Sequence, residues 1–136
     1  MCAWVARVLT ADDDRDTADT TADLLRFDGH EVKVVYDGRH AIEIARTFRP
    51  HVVILDVNMP GLDGYAVAAA LREQETVEHR FVLVAHTARA DPADVERARR
   101  AGFDHHVPKP ARSDELRELV RASLAPAAGK ACLKRW

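Results

Sequence analysis

Only two cysteines occur in 136 residues, Cys2 and Cys132, near opposite ends and in no Cys-x-x-Cys or Cys/His spacing. That excludes a disulfide scaffold and a zinc module, and it suits a reducing compartment. No run approaches the ~18 apolar residues of a membrane span. The N-terminus meets acid by Asp12, before the apolar core of a signal peptide can form. Net charge is scarce too: 20 Lys+Arg against 22 Asp+Glu leave −2, too little for a general field toward nucleic acid or an acidic membrane. The expectation is a cytoplasmic protein with no direct nucleic-acid contact and no membrane contact. The balance is uneven, however. Lys130, Lys134 and Arg135 stand in the last twelve residues with no acid, so residues 1–124 hold −5.

What is present is ordinary for a globular chain. A composition 47% hydrophobic and 31% charged excludes wholesale disorder. The length fits one domain at ~100–200 residues each. Such a chain buries roughly 68–70% of its unfolded surface, enough for a core without staples.

Short β-rich runs alternate with helical patterns five times. Val5–Thr10, Glu31–Tyr36, His51–Leu55, Phe81–Ala85 and Phe103–Val107 read as strands, and His51–Leu55 is apolar throughout, as a strand covered on both faces should be. Helical faces follow each: Ala18, Thr21, Ala22, Leu24 and Leu25, closed by Gly29; Ala41, Ile42, Ile44, Ala45 and Phe48, ended by Pro50; a third helix running to Gln74. The fourth opens at Asp91-Pro92 and ends at Gly102, and the fifth follows Ser113, with Leu116, Leu119, Val120 and Leu124 on one face. Residues 1–124 make one unit, and 125–136, with Pro126 and Gly129, read as a flexible tail. Five β/α repeats with short connections imply an α/β doubly wound parallel sheet with helices on both faces.

In such sheets ligands bind beyond the carboxyl ends of the strands. Asp12-Asp13-Asp14 follow the first strand, Asp56 ends the third, Thr87 follows the fourth and Lys109-Pro110 the fifth. Converging carboxylates repel one another, and the repulsion raises their pKa unless a cation intervenes. A hard divalent ion resolves this, and magnesium favours one or two carboxylates, water and a phosphate oxygen. One carboxylate can then attack phosphorus to give an aspartyl phosphate, with Thr87 and Lys109 bonding the phosphoryl oxygens. A flavin-binding electron carrier would share the fold, but three aspartates after the first strand would repel its phosphate.

Asp12-Asp13-Asp14, VVILDVNMPGLDG over Val52–Gly64, Ala85-His86-Thr87-Ala88 and Lys109-Pro110 together resemble the receiver domain of bacterial response regulators. The resemblance covers about residues 5–124. It implies a flavodoxin-like fold with strand order 2-1-3-4-5, and it matches Asp56 to the phospho-acceptor. Asp12, Asp13 and Asp56 match the magnesium ligands (manganese is the alternative), and the Asn58 backbone carbonyl completes their shell. Lys109 matches the phosphoryl-contacting lysine, Thr87 the switch hydroxyl and His106 the aromatic switch position. The resemblance also implies catalysis confined to the domain's own phosphoryl transfer and hydrolysis. The partners implied are a sensor histidine kinase or histidine phosphotransfer protein and a downstream target.

Asn58 and Arg89 flank the water path and are expected to set the phosphate's lifetime. Mixed charges on the last two helices, from Asp94, Glu96, Arg97, Arg99 and Arg100 to Glu115, Arg117, Glu118 and Arg121, fit either a phosphorylation-dependent homodimer or solvated faces. Thr10-Ala11 depart from the usual aliphatic pair, His86 is larger and more polar than usual before the switch threonine, and Pro108 removes a donor that only an edge strand can spare. A receiver-shaped interaction module that works without phosphorylation is the alternative reading.

Overall fold

The structure is a computed structural model describing residues 5–88, 91–109 and 113–124. Five strands and five helices alternate: β1 (Arg7–Ala11), α1 (Arg15–Phe27), β2 (Glu31–Val35), α2 (Gly38–Phe48), β3 (Val52–Leu55), α3 (Gly64–Gln74), β4 (Val82–Thr87), α4 (Pro92–Ala101), β5 (His105–Pro108) and α5 (Ser113–Leu124). All neighbouring strands pair parallel, in the order β2-β1-β3-β4-β5. The doubly wound topology expected from the alternation is therefore present. The tail, residues 125–136, lies outside the described residues.

Side chains alternate across the sheet, and two cores result. Leu9, Val53, Leu55, Leu83 and Ala85 meet α2 and α3 on one face through Ala41, Ala45, Val67, Ala68 and Leu71. Val8, Val52, Ile54, Val84 and Val107 meet α1 and α5 on the other through Ala22, Leu25, Leu116 and Val120. Central β3 is buried along its whole length, as its unbroken apolar run requires. Thr10 and Ala11 are each 2% exposed, so the smaller pair is packed beneath the rim.

Asp14, Asp37 and Asp63 each accept a backbone N–H at a helix start. Asp91 occupies the same position on α4, but its side chain makes no cap hydrogen bond there, and proline at the first helical position supplies the geometry instead. Every strand is displaced by one or two residues at an end from the sequence reading: β1 is Arg7–Ala11 where Val5–Thr10 is expected, β3 starts at Val52, and β4 is Val82–Thr87 where Phe81–Ala85 is expected, so Thr87 ends that strand and does not follow it. β2 stops at Val35, and β5 starts two residues later than the apolar run. Gly102 (φ 109°) ends α4 in the left-handed conformation, and the Phe103 N–H bonds back to the Ala98 carbonyl, so Phe103 belongs to the helix end. Pro108 lies on β5, the sheet edge, where a missing donor is tolerated. Among the described residues no helix is long and apolar enough to cross a membrane.

The opposite rim is locked by two imidazoles. The Ala6 N–H donates to His30 Nδ1 at 3.0 Å, and the Arg7 N–H donates to His51 Nδ1 at 3.0 Å. The backbone of His51 in turn donates to the Arg7 carbonyl at 2.8 Å. His30 and His51 precede β2 and β3, the two neighbours of β1, and both are buried. A second lock is Arg72, whose guanidinium reaches Gly102 O, Phe81 O, Glu75 and Asp104. It ties α3 to the starts of β4 and β5.

Candidate functional site

The carboxyl ends of β1 and β3 bring ligand oxygens of Asp12, Asp13 and Asp56 within 4.8 Å of one another. Asp12 is 4% exposed and Asp56 7%, whereas Asp13 faces solvent. Lys109, leaving β5, spans the rim: its Nζ donates to Asp12 Oδ2 at 2.6 Å and to Asp56 Oδ2 at 3.2 Å. The Asn58 N–H donates to Asp56 Oδ1 at 3.1 Å, and the Lys109 N–H to the Thr87 carbonyl at 2.8 Å. Thr87, 1% exposed, ends β4.

Burial pushes the Asp56 carboxyl above its ordinary range, and the nearby Asp12 charge pushes the same way. The Asn58 N–H and the Lys109 ammonium pull against them. Burial also disfavours the Lys109 ammonium, but its hydrogen bond to Asp12 and the charge of Asp56 outweigh that and raise its pKa. Three oxygen donors and one ammonium leave negative charge uncompensated. This all-oxygen, partly open set fits a hard divalent cation.

Local structure holds the acceptor loop against the rim. Gly64 opens α3 with its N–H bonded to the Val57 carbonyl at 3.1 Å. A Cβ at Gly64 would stand 2.6 Å from Val57 Cα and 2.7 Å from Asp56 O, so only glycine allows this approach.

The structure thus brings Asp12, Asp13, Asp56, Asn58, Thr87 and Lys109 to one rim. Asp14 is the surplus member of its triplet: it caps α1 through Asp16, Thr17 and the Thr17 hydroxyl. His106 pairs with Ala85 on β5 and is half-buried, with its Nε2 buried and unpartnered among the described residues. Arg89 lies outside the described residues. Histidines 30, 51 and 79 make contacts that sequence reasoning missed: two bind β1, and His79 Nε2 lies 2.9 Å from the Pro50 carbonyl. The shared signal was a histidine directly before each strand flanking β1. The charged face divides as well. Arg117 turns to α1 and pairs twice with Asp28, and Arg97 lies over the Tyr65 ring. Glu96 pairs with Arg99 and Arg100, and Arg121 with Glu118, each within its own helix.

The doubly wound sheet thus carries an acidic triad, a threonine and a lysine on its carboxyl rim, and the response regulator receiver domain model matches residues 8–121. The chain belongs to that family, the receiver domain of two-component signalling. It is 36% identical over 118 residues to the DNA-binding response regulator MtrA of Mycobacterium tuberculosis H37Rv, covering 87% of this chain and 50% of MtrA. It is 38% identical over 118 residues to the response regulator MprA of Mycolicibacterium vanbaalenii, with the same coverage. The chain therefore spans about half the length of these relatives. Among solved structures it resembles Vibrio cholerae chemotaxis protein CheY4 (TM-score 0.82, 28% identity, 88% of this chain and 99% of that one). It also resembles the receiver domain of the Pseudomonas aeruginosa sensor histidine kinase PA1611, solved with magnesium in its active-site cleft (TM-score 0.80, 28% identity, 89% and 98%).

Proposed function

We propose that Asp56 accepts a phosphoryl group from a phosphohistidine on a sensor histidine kinase or histidine phosphotransfer protein. The observation that carries this reading is the Lys109 ammonium shared between Asp12 and Asp56 inside a three-carboxylate cluster. The Asp56 oxygen attacks phosphorus, the P–N bond breaks, and the electron pair leaves on the imidazole nitrogen, which then takes a proton. Asp12, Asp13, Asp56 and the Asn58 carbonyl would hold magnesium, or manganese in its place. When bound, the ion neutralises the phosphoryl oxygens. Lys109 exchanges its Asp56 contact for a phosphoryl oxygen, and the Asn58 N–H holds the other carboxylate oxygen, orienting the attack. Hydrolysis of the acyl phosphate returns the domain to rest, with Asn58 and Arg89 setting its lifetime.

Thr87 and His106 transmit the change. Both lie on the α3 side of the sheet by the alternation of β4 and β5. Moving the Thr87 hydroxyl toward a phosphoryl group gives the His106 ring room, altering the face of α4, β5 and α5 read by a downstream protein. The pairing of Glu96, Arg99, Arg100, Glu118 and Arg121 within their own helices favours a solvated resting face over a preformed homodimer. We take residues 1–124 as the receiver unit, working in the cytoplasm. Its net charge of −5 argues that this span does not itself contact DNA.

Acetyl phosphate with magnesium tests the reading by intact mass. One phosphoryl group should add to the wild type and none to Asp56→Ala. No gain in the wild type, or equal gain in the variant, overturns it and leaves the non-phosphorylated interaction module.

A further inference from the structure

His86 is the rim residue that the phosphoryl-accepting reading leaves unused. It is 5% exposed, and its Nε2 is buried with no hydrogen-bond partner among the described residues. Buried orphans of this kind are uncommon and call for a reason. Strand alternation places it. Val84, two residues earlier, and Val107, its partner on β5, both belong to the α1/α5 core, so His86 projects from that face. Ile54 shares the face and pairs with Val84, which sets His86 in lateral register with Asp56. Lys109 starts beyond β5, yet its ammonium reaches Asp56 beyond β3 and Asp12 beyond β1. Its arm must cross the end of β4, where His86 stands.

An ammonium has three donors, and two are directed to Asp12 and Asp56. At rest the 2.6 Å bond holds one Lys109 donor on Asp12, and His86 Nε2 receives none. A divalent cation on Asp12 would release that donor. We propose that His86 is a positioning residue: its Nε2 accepts the N–H that Lys109 gives up when Asp12 turns to a metal, and so fixes the lysine over Asp56. Burial, and next the Lys109 charge, push the imidazolium down to about 4, so the ring is a neutral acceptor at neutral pH. The inference rests on the reading of Asp12 and Asp56 as metal and phosphoryl site.

The test is the 15N spectrum of the histidine-labelled full chain at neutral pH, with the His86 signals assigned by their loss in His86→Gln. Magnesium should move His86 Nε2 to a hydrogen-bonded shift. The maximal rate of acetyl phosphate labelling should fall about tenfold in His86→Leu, the loss of one charge-assisted bond, and His86→Gln should restore most of it. A purely structural role would weaken both variants with no magnesium-linked change in the wild-type ring. An Nε2 signal unmoved while the rim backbone responds to magnesium overturns the proposal. So does a signal already bonded without metal, as a trapped water would give, or no response to magnesium anywhere. Absence of phosphoryl gain in a wild type whose His86 does respond would instead overturn the phosphoryl reading alone.

Discussion

Acid should loosen this domain from the end of the sheet opposite the site, through His51. Its Nδ1 accepts the Arg7 N–H at 3.0 Å, which requires a lone pair on that nitrogen. Burial, then the charge of Arg7, depress the imidazolium from 6.5 to about 4. A depressed histidine stabilises the fold fully above its unfolded pKa, because there both states are unprotonated. As pH falls below 6.5 the unfolded chain binds a proton that the folded chain refuses, and stability drops until the folded pKa is reached. The whole shift corresponds to about 3 kcal/mol, of which about 2 kcal/mol is gone by pH ~5.

Urea unfolding at pH ~7.5 and ~5, on the wild type and on His51→Gln, isolates this contribution. The glutamine oxygen can accept the same N–H but does not titrate. His30, His79 and His86 are depressed in the same direction by burial, so the wild-type slope alone would not identify His51. The low-lying carboxyls of Asp28 and Asp37 add losses only nearer their own range, below the chosen window. Removing His51 should flatten the pH dependence by about 2 kcal/mol, or about 1 M in the urea midpoint. Equal slopes in the two proteins would refute the reasoning, whatever their stability at neutral pH.

Other perturbations follow from the same geometry. Arg72→Ala should cost about 3 kcal/mol, read by urea unfolding, because it removes the donor from the part-buried Phe81 and Gly102 carbonyls and the cation from Glu75 and Asp104 together; a loss below about 1 kcal/mol would show that water replaces the guanidinium. Gly64→Ala should destabilise by about 2 kcal/mol and weaken magnesium binding, since the added Cβ presses on the Asp56 backbone; an unchanged calorimetric affinity would contradict the close approach. Lys109→Met should tighten magnesium about tenfold by removing the competing ammonium while slowing phosphoryl acceptance, and weaker metal binding would count against the shared-cation picture.

How much of this was legible in the chain follows the range of each interaction. The strands and helices show as periods of two and 3.6, which are local, and the site shows because strand ends are where such sheets bind. Asp56 after five apolar residues and Lys109 after a short strand are readable for that reason. The imidazole locks are not, because each His Nδ1 meets a backbone N–H that is 24 or 44 residues distant, and a backbone donor carries no residue type. Arg72 was hidden likewise: two of its four acceptors are carbonyls, set by where α3 ends over the starts of β4 and β5. Arg97 and Arg117 sit at exposed helical periods, yet Tyr65 and Asp28 take them toward neighbouring helices. Charge pattern alone does not say which neighbour a long side chain will reach.

The two rims of the sheet divide the work between rigidity and response. At the amino end the imidazoles accept backbone N–H groups and Arg72 is paired with the Glu75 and Asp104 carboxylates, at the opposite end of the strands from the acidic cluster. At the carboxyl end Asp56 is buried beside Asp12 with one ammonium between them, an arrangement that favours an added cation and resists remaining as it is. A switch needs such a locally unsatisfied centre on a frame that does not yield with it. β1 links the two: its Ala6 and Arg7 end is pinned by His30 and His51, and its other end runs directly into Asp12. If Asp12 and Asp56 act as proposed, charge rearranged around Asp12 would be relieved by moving Lys109, Thr87 and the loops of the carboxyl rim, because the strand beneath them is held from below.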